Sequence, residues 1–163
     1  MSLVVVNARL DIQKLFKHLS LSLGVGILSS LFTGNSISSY PQTDKMTAIT
    51  PPTTIFPVIW TILYIAMGIA AYIIDINCSK SYNSDYKKVL YLYYAQLFLN
   101  FMWPITFFKF ASPILALANI IILIIALSLT ILGFAKYNKH ASFFMLPHLS
   151  WCIFTLILNI TFI

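Results

Sequence analysis

Long apolar stretches alternate with short polar segments along almost the whole chain. Five of them are distinguishable, over roughly residues 15–34, 52–75, 87–108, 113–135 and 142–163. Each is close to the length at which an α-helix crosses about 30 Å of hydrocarbon, so the pattern predicts an all-α membrane protein, a bundle of five transmembrane helices. The fourth stretch, PILALANIIILIIALSLTILGF, is the plainest. The second enters through Pro51 and Pro52, residues suited to a first helical turn because their missing N–H groups would lack partners there anyway, and it carries no charge until Asp75. The first, LFKHLSLSLGVGILSSLF, is richer in Ser and Gly and follows Arg9, Lys14 and Lys17. It reads either as a signal-peptide core or as a true span. No small-x-small cleavage site leads into a polar mature start, which favours the span. Gly24, Gly26 and Ser29 would then let a neighbouring helix approach closely.

Composition narrows the class. The 163 residues are 60% hydrophobic and 9% charged, with a mean hydropathy of +0.88, whereas a soluble domain carries about a quarter charged residues. The expected organisation is a short N-terminal cytoplasmic segment, 1–14, and one transmembrane domain, 15–163, with no room for a soluble domain. A net charge of +6 raises the question of nucleic acid, but the basic residues sit in short flanks of the apolar runs and form no groove with interleaved aromatics, which excludes nucleic-acid binding. Arg9, Lys14, Lys17, Lys80, Lys87, Lys88, Lys136 and Lys139 fall on one side of the predicted bundle, and only Lys45 and Lys109 on the other. The positive-inside rule therefore places the N-terminus in the cytoplasm of a bacterial membrane; a mitochondrial outer membrane is also compatible. The longest connection, Gly34 to Thr50, then lies outside, at a length typical of functional lids. Cys78 is read in a loop and Cys152 in a helix, with no disulfide expected.

The polar residues inside the apolar runs are the candidates for chemistry. In YYAQLFLNFMWPITFF, the residues Gln96, Asn100, Trp103 and Phe107 recur at helical spacing and form one stripe, which must face the bundle interior because amides facing lipid are costly. Gln96 and Asn100 either hydrogen-bond a neighbouring helix or contact a ligand. Pro104 is expected to kink this helix. In the second run Trp60, Tyr64 and Met67 share one face. In the fifth, His148, Cys152, Thr155 and Asn159 form a polar stripe beside Pro147, Trp151 and Phe154. His148 and Cys152, at i and i+4, are either two ligands for a metal or haem iron or, as favoured, hydrogen-bonded interior groups; Asn119 has the same structural reading. The acids Asp11, Asp44, Asp75 and Asp85 all fall outside the apolar runs, so no paired carboxylates, Ser-His-Asp set, phosphate loop or zinc spacing can be assembled within the membrane. An aromatic bundle with a few amides suits a flat, hydrophobic ligand.

These segments resemble the TspO/MBR family, the tryptophan-rich sensory proteins that include the mitochondrial translocator protein. The second-span motif matches at Pro51, Pro52, Trp60, Leu63, Tyr64, Met67, Gly68 and Tyr72. The third-span motif matches at Gln96, Leu97, Leu99, Asn100, Trp103, Pro104, Phe107 and Phe108, and the fifth at Leu146, Pro147, Leu149, Trp151, Phe154 and Asn159. The resemblance implies a five-helix bundle, commonly a homodimer in membrane lipid, with a pocket covered by the first loop. It implies a hydrophobic small-molecule ligand, with protoporphyrin IX or a haem-like tetrapyrrole foremost, and no required cofactor or metal. By motif position Trp60 and Trp151 would correspond to the family's pocket tryptophans, and the resemblance implies that Tyr64, Asn100, Trp103, Phe56 and Phe154 join them; Pro147 and His148 complete the expected ligand-binding set. A binding or sensory protein is the expected function. The alternatives are an enzyme that breaks down porphyrin with light and oxygen, in which Trp60 and Trp151 would be catalytic, or a transporter of porphyrin- or sterol-like ligands. The chain departs from the family at Ile49 and near Tyr40 and Leu115, where Trp is usual, at Asn119 in place of an acid, and at His148 in place of Tyr. After Asn159 it reads ITFI, without the family's sterol-associated pattern.

Overall fold

Apolar runs this long leave the backbone one economical way to satisfy its own N–H and C=O groups, the α-helix. The computed structural model describes residues 11–38, 55–78, 85–161 and 163, and nearly all of them are helical. The helices are α1 (Ile12–Ser38), α2 (Ile55–Cys78), α3 (Asp85–Pro104), α4 (Pro113–Tyr137) and α5 (Lys139–Ile160). Four of them, α1, α2, α4 and α5, are long and apolar enough to cross a membrane. The exception, α3, opens with Asp85, Lys87 and Lys88. The Pro51–Pro52 entry, the N-terminal segment through Leu10 and most of the expected lid lie outside the described residues.

The helices close into a ring. α1 packs on α2, α2 on α5, α5 on α4, α4 on α3, and α3 returns to α1. Surface and interior are distributed as in a bundle solvated by lipid. Large apolar side chains point outward, Leu31 at 74% exposure and Ile114 at 69%, while Ser22, Gln96, Asn100, His148 and Asn159 are buried. That inversion follows from the energetics: lipid does not penalise an outward Leu, but it does penalise an amide without a partner.

Local chemistry accounts for the junctions. A single residue joins α4 to α5: Asn138 is extended (φ −155°, ψ 116°) and its Oδ1 accepts from the backbone N–H groups of His140 (2.8 Å) and Ala141 (3.2 Å), an N-cap that serves two otherwise orphaned donors. Pro113 begins α4, where its missing donor is harmless. Pro104 ends the regular part of α3, and the chain continues as a wider turn over Ile105–Lys109 in which Phe110 N–H donates to Ile105 O at 2.9 Å. The expected kink at Pro104 thus takes the form of a π-type turn, a device common near functional sites. Two residues beyond it, Ala111 has a φ of 47°, in the left-handed region.

Two sequence expectations are corrected here. Cys78 lies in no loop but is the buried last residue of α2. Asp75 likewise lies inside α2, not beyond it, because the helix continues for nearly a turn past the charge. Its carboxylate is accommodated by α1, where Lys14 Nζ lies 3.5 Å from Oδ1 and His18 Nε2 3.1 Å from Oδ2. Both cysteines are free.

Candidate functional site

The second-span and third-span motifs meet in the interior. Trp60 and Tyr64, one turn apart on α2, hold their rings 5.7 Å apart. Trp60 also stacks on Trp103 of α3 (6.3 Å, 21° between planes) and meets His148 of α5 edge-on at 5.7 Å. From Trp103 the aromatic surface continues into the π-type turn, through Phe107 (5.3 Å, 19°) and Phe108 (6.1 Å, 81°). Three helices thus contribute to one ring cluster, with Trp60 half-buried and Tyr64, Trp103 and His148 buried. These offset and edge-to-face geometries are the favourable ones for aromatic pairs.

Close helix approach makes this possible. A Cβ on Gly26 of α1 would sit 2.6 Å from the Tyr64 ring, so the absent side chain lets α1 lie directly on Tyr64. Ser22, one turn earlier, donates its hydroxyl to Tyr64 O at 2.6 Å. Of the residues expected to allow close approach in the first span, Gly26 does so, whereas Gly24 faces open space.

Beneath the rings lies an amide pair. Asn100 Nδ2 donates to Gln96 Oε1 (2.8 Å) and Gln96 O (2.9 Å), and Gln96 Nε2 lies 3.6 Å from Met67 Sδ. The stripe of Gln96, Asn100, Trp103 and Phe107 is buried along its length. So is the fifth-span stripe of His148, Cys152, Thr155 and Asn159. His148 Nε2 and Cys152 Sγ are 3.6 Å apart, and among the described residues they belong to no group of three or more His, Cys, Asp or Glu placed to hold a metal ion.

Several polar atoms here are buried without a hydrogen-bond partner among the described residues: Trp103 Nε1, His148 Nδ1 and Asn100 Oδ1. Buried groups of this kind are expensive and sites that hold them commonly complete them with a bound molecule. Two donors or acceptors on rings, plus an amide oxygen, next to a stacked aromatic wall, can take a flat conjugated ligand with polar substituents.

The remaining candidates are placed as follows. Trp151 is half-buried and packs on Phe154 at 5.2 Å, one turn along α5 from His148. Pro147 is exposed. Phe56 is in the first turn of α2, but its side chain lies outside the described residues. What sequence reading missed is the cluster of Lys14, His18 and Asp75, together with Asp11 N–H donating to Tyr72 Oη at 3.2 Å. A signal existed: His18, Ser22, Ser29 and Thr33 repeat at helical spacing and all four are buried, so the interior face of α1 was marked by its polar residues.

Known proteins are similar to this chain over most of its length. The model of the TspO/MBR family matches residues 18–163. The Tryptophan-rich protein TspO of Chlorobaculum tepidum is 37% identical over 144 residues, 88% of this chain and 89% of the relative. That of Archaeoglobus fulgidus is 35% identical over 150 residues, 92% and 95% of the two chains. The human Translocator protein is 28% identical over 138 residues, covering 85% of this chain and 80% of its own. The matched region includes the helices that supply Trp60, Trp103 and His148, and with relatives this similar along nearly their full length, the chain belongs to the TspO/MBR family.

Proposed function

We propose that the protein is an integral membrane receptor or sensor that binds a protoporphyrin IX-like tetrapyrrole, or a related flat hydrophobic molecule, within the bundle. The observation that carries this reading is the convergence of Trp60, Trp103 and His148 from three helices, with Trp103 Nε1, His148 Nδ1 and Asn100 Oδ1 without hydrogen-bond partners among the described residues. Stacked rings match a conjugated macrocycle, and the polar atoms match its substituents. Trp60 lies five residues from the described start of α2, so the site is near the end of the bundle at which α2 begins. The reading also accords with the names of relatives, among them a Tryptophan-rich sensory protein of Cereibacter sphaeroides, 30% identical over 101 residues.

In this reading all five helices cross the membrane of a bacterial cell as a homodimer. The N-terminus is cytoplasmic, because Lys14, Lys17, Lys87, Lys88, Lys136 and Lys139 share one end of the bundle. α3 spans despite its charged first turn because it lies between α1 and α4 in the ring.

The test is a titration of the detergent-purified protein with protoporphyrin IX, in darkness and then in light, following Trp fluorescence and the Soret band. Saturable quenching that weakens about tenfold in Trp60→Phe, equivalent to the ~1.4 kcal/mol at the upper end for an aromatic pair, is the expected result. Loss of the Soret band in light that requires both Trp60 and Trp151 would replace the sensor with a porphyrin-degrading enzyme. Absence of saturable binding would overturn the tetrapyrrole.

A further inference from the structure

The basic end of the bundle holds a second site, remote from the aromatic cluster. A cleft of about 200 Å³ is lined by Lys17 of α1, Asp75 of α2, and Tyr86, Lys87, Leu90, Tyr91 and Tyr94 of α3. On α3, Lys87, Leu90, Tyr91 and Tyr94 follow the i, i+3, i+4, i+7 spacing of one helix face. The charges around it are unequally matched. Both oxygens of Asp75 are taken, by Lys14 at 3.5 Å and His18 at 3.1 Å. Lys88, on the adjoining face, is paired with Asp85 at 2.8 Å. Lys17 and Lys87, by contrast, form no ion pair among the described residues and are exposed. Among the described residues the cleft therefore presents two lysine ammonium groups outside any ion pair and three phenol rings, with the Asp75 carboxylate already engaged by Lys14 and His18.

We infer that this cleft binds the phosphate-bearing headgroup of an anionic phospholipid. Two lysines supply charge to the phosphate, and tyrosine hydroxyls donate to its oxygens. The rings suit the headgroup level of a bilayer, where Tyr is enriched. Tyr91 is 69% exposed and Leu90 is 8% exposed, so the cleft has an outward wall against which the first acyl carbons lie while the headgroup reaches inward. Basic clefts between helices at the cytoplasmic face are the usual recognition mode for acidic lipid. Because α1, α2 and α3 all contribute, an occupied cleft ties together three helix ends that chain connections join only through the far end or through residues 79–84.

The experiment is native mass spectrometry, with thermal melting in a neutral detergent, on the full chain supplemented with phosphatidylglycerol, phosphatidylcholine or soluble glycerol phosphate. Phosphatidylglycerol is expected to remain bound and to raise the melting temperature, while the other two do neither. In Lys17→Gln/Lys87→Gln its binding should fall about 30-fold, the equivalent of ~1 kcal/mol per lysine at an anionic surface. Lys109→Gln, at the opposite end, should leave it unchanged; all three lysines are exposed. Equal retention of phosphatidylcholine, or full retention of phosphatidylglycerol by the double variant, would overturn the site. An equal shift with glycerol phosphate would overturn the lipid as its occupant.

Discussion

At the scale of single residues, Asp75 is a charge placed by its partners and not by distance from the apolar runs. Asp75 is inside α2 with its side chain 15% exposed, held by Lys14 and by a His18 side chain that is wholly buried. Its oxygens also fix the end of α1 against α2. Asp75→Asn removes the charge that both partners face and leaves the buried imidazole with a weaker acceptor, so it should destabilise the protein by about 1–3 kcal/mol. Asp85→Asn removes a carboxylate whose pair with Lys88 is open to solvent, and should move the melting temperature far less. Comparable losses in the two variants, measured by thermal unfolding in one detergent, would mean that the Asp75 cluster is only a surface pair. Ala111 offers a second residue-scale test. Its φ of 47° disfavours any side chain with a Cβ by about 1–2 kcal/mol, so Ala111→Gly should raise the melting temperature. An unchanged or lower value would show that the turn after α3 is not strained at this position.

At the scale of elements, periodicity was a sound guide to faces, and a weaker one to ends and neighbours. Gln96, Asn100, Trp103 and Phe107 could be assigned to an interior stripe because amides among apolar residues have one low-energy orientation in lipid, and all four are buried. The same reasoning applied to α1 would have exposed His18 and Ser22. Helix ends were less legible. Asp75 looked like a stop because a charge usually is one, yet a partner on α1 lets α2 continue to Cys78. Pro104 announced a break, but whether the chain kinks, ends or widens depends on which carbonyls the following residues reach. Gly24 and Gly26 are alike in sequence but differ in neighbour. A side chain at Gly26 would meet the Tyr64 ring at 2.6 Å, while Gly24 has nothing within 4 Å. Gly26→Ala should therefore cost about 1–3 kcal/mol through overpacking and weaken the proposed porphyrin binding by displacing Tyr64 from Trp60. Gly24→Ala should be neutral or slightly stabilising. Melting curves and porphyrin titrations of the pair check this, and equal behaviour of the two variants would refute the α1–α2 contact described above.

At the scale of the whole molecule, the ring order explains why the site lies where it does. α2 and α3 are not neighbours along the ring, since α1 separates them on one side and α5 with α4 on the other. Trp60 and Trp103 nevertheless stack at 6.3 Å, and His148 of α5 closes on the same Trp60 ring at 5.7 Å. The contact therefore crosses the middle of the ring, and the aromatic cluster serves as the bundle's central packing. A sequence shows that each of these residues is on an inward face, but not which of three inward faces share a centre, because that depends on the order in which helices close. The consequence is measurable as coupling. If the rings form one packed unit, Trp60→Leu and His148→Leu should not act independently, and the double variant should lose less than the two single losses combined, by about 0.5–1.5 kcal/mol. Trp60→Leu combined with Tyr86→Phe, at the basic end, should be additive, because those sites share no partner. Additivity in the first pair would mean that Trp60 and His148 line separate spaces, and a single flat ligand could not then contact both through one stacked surface.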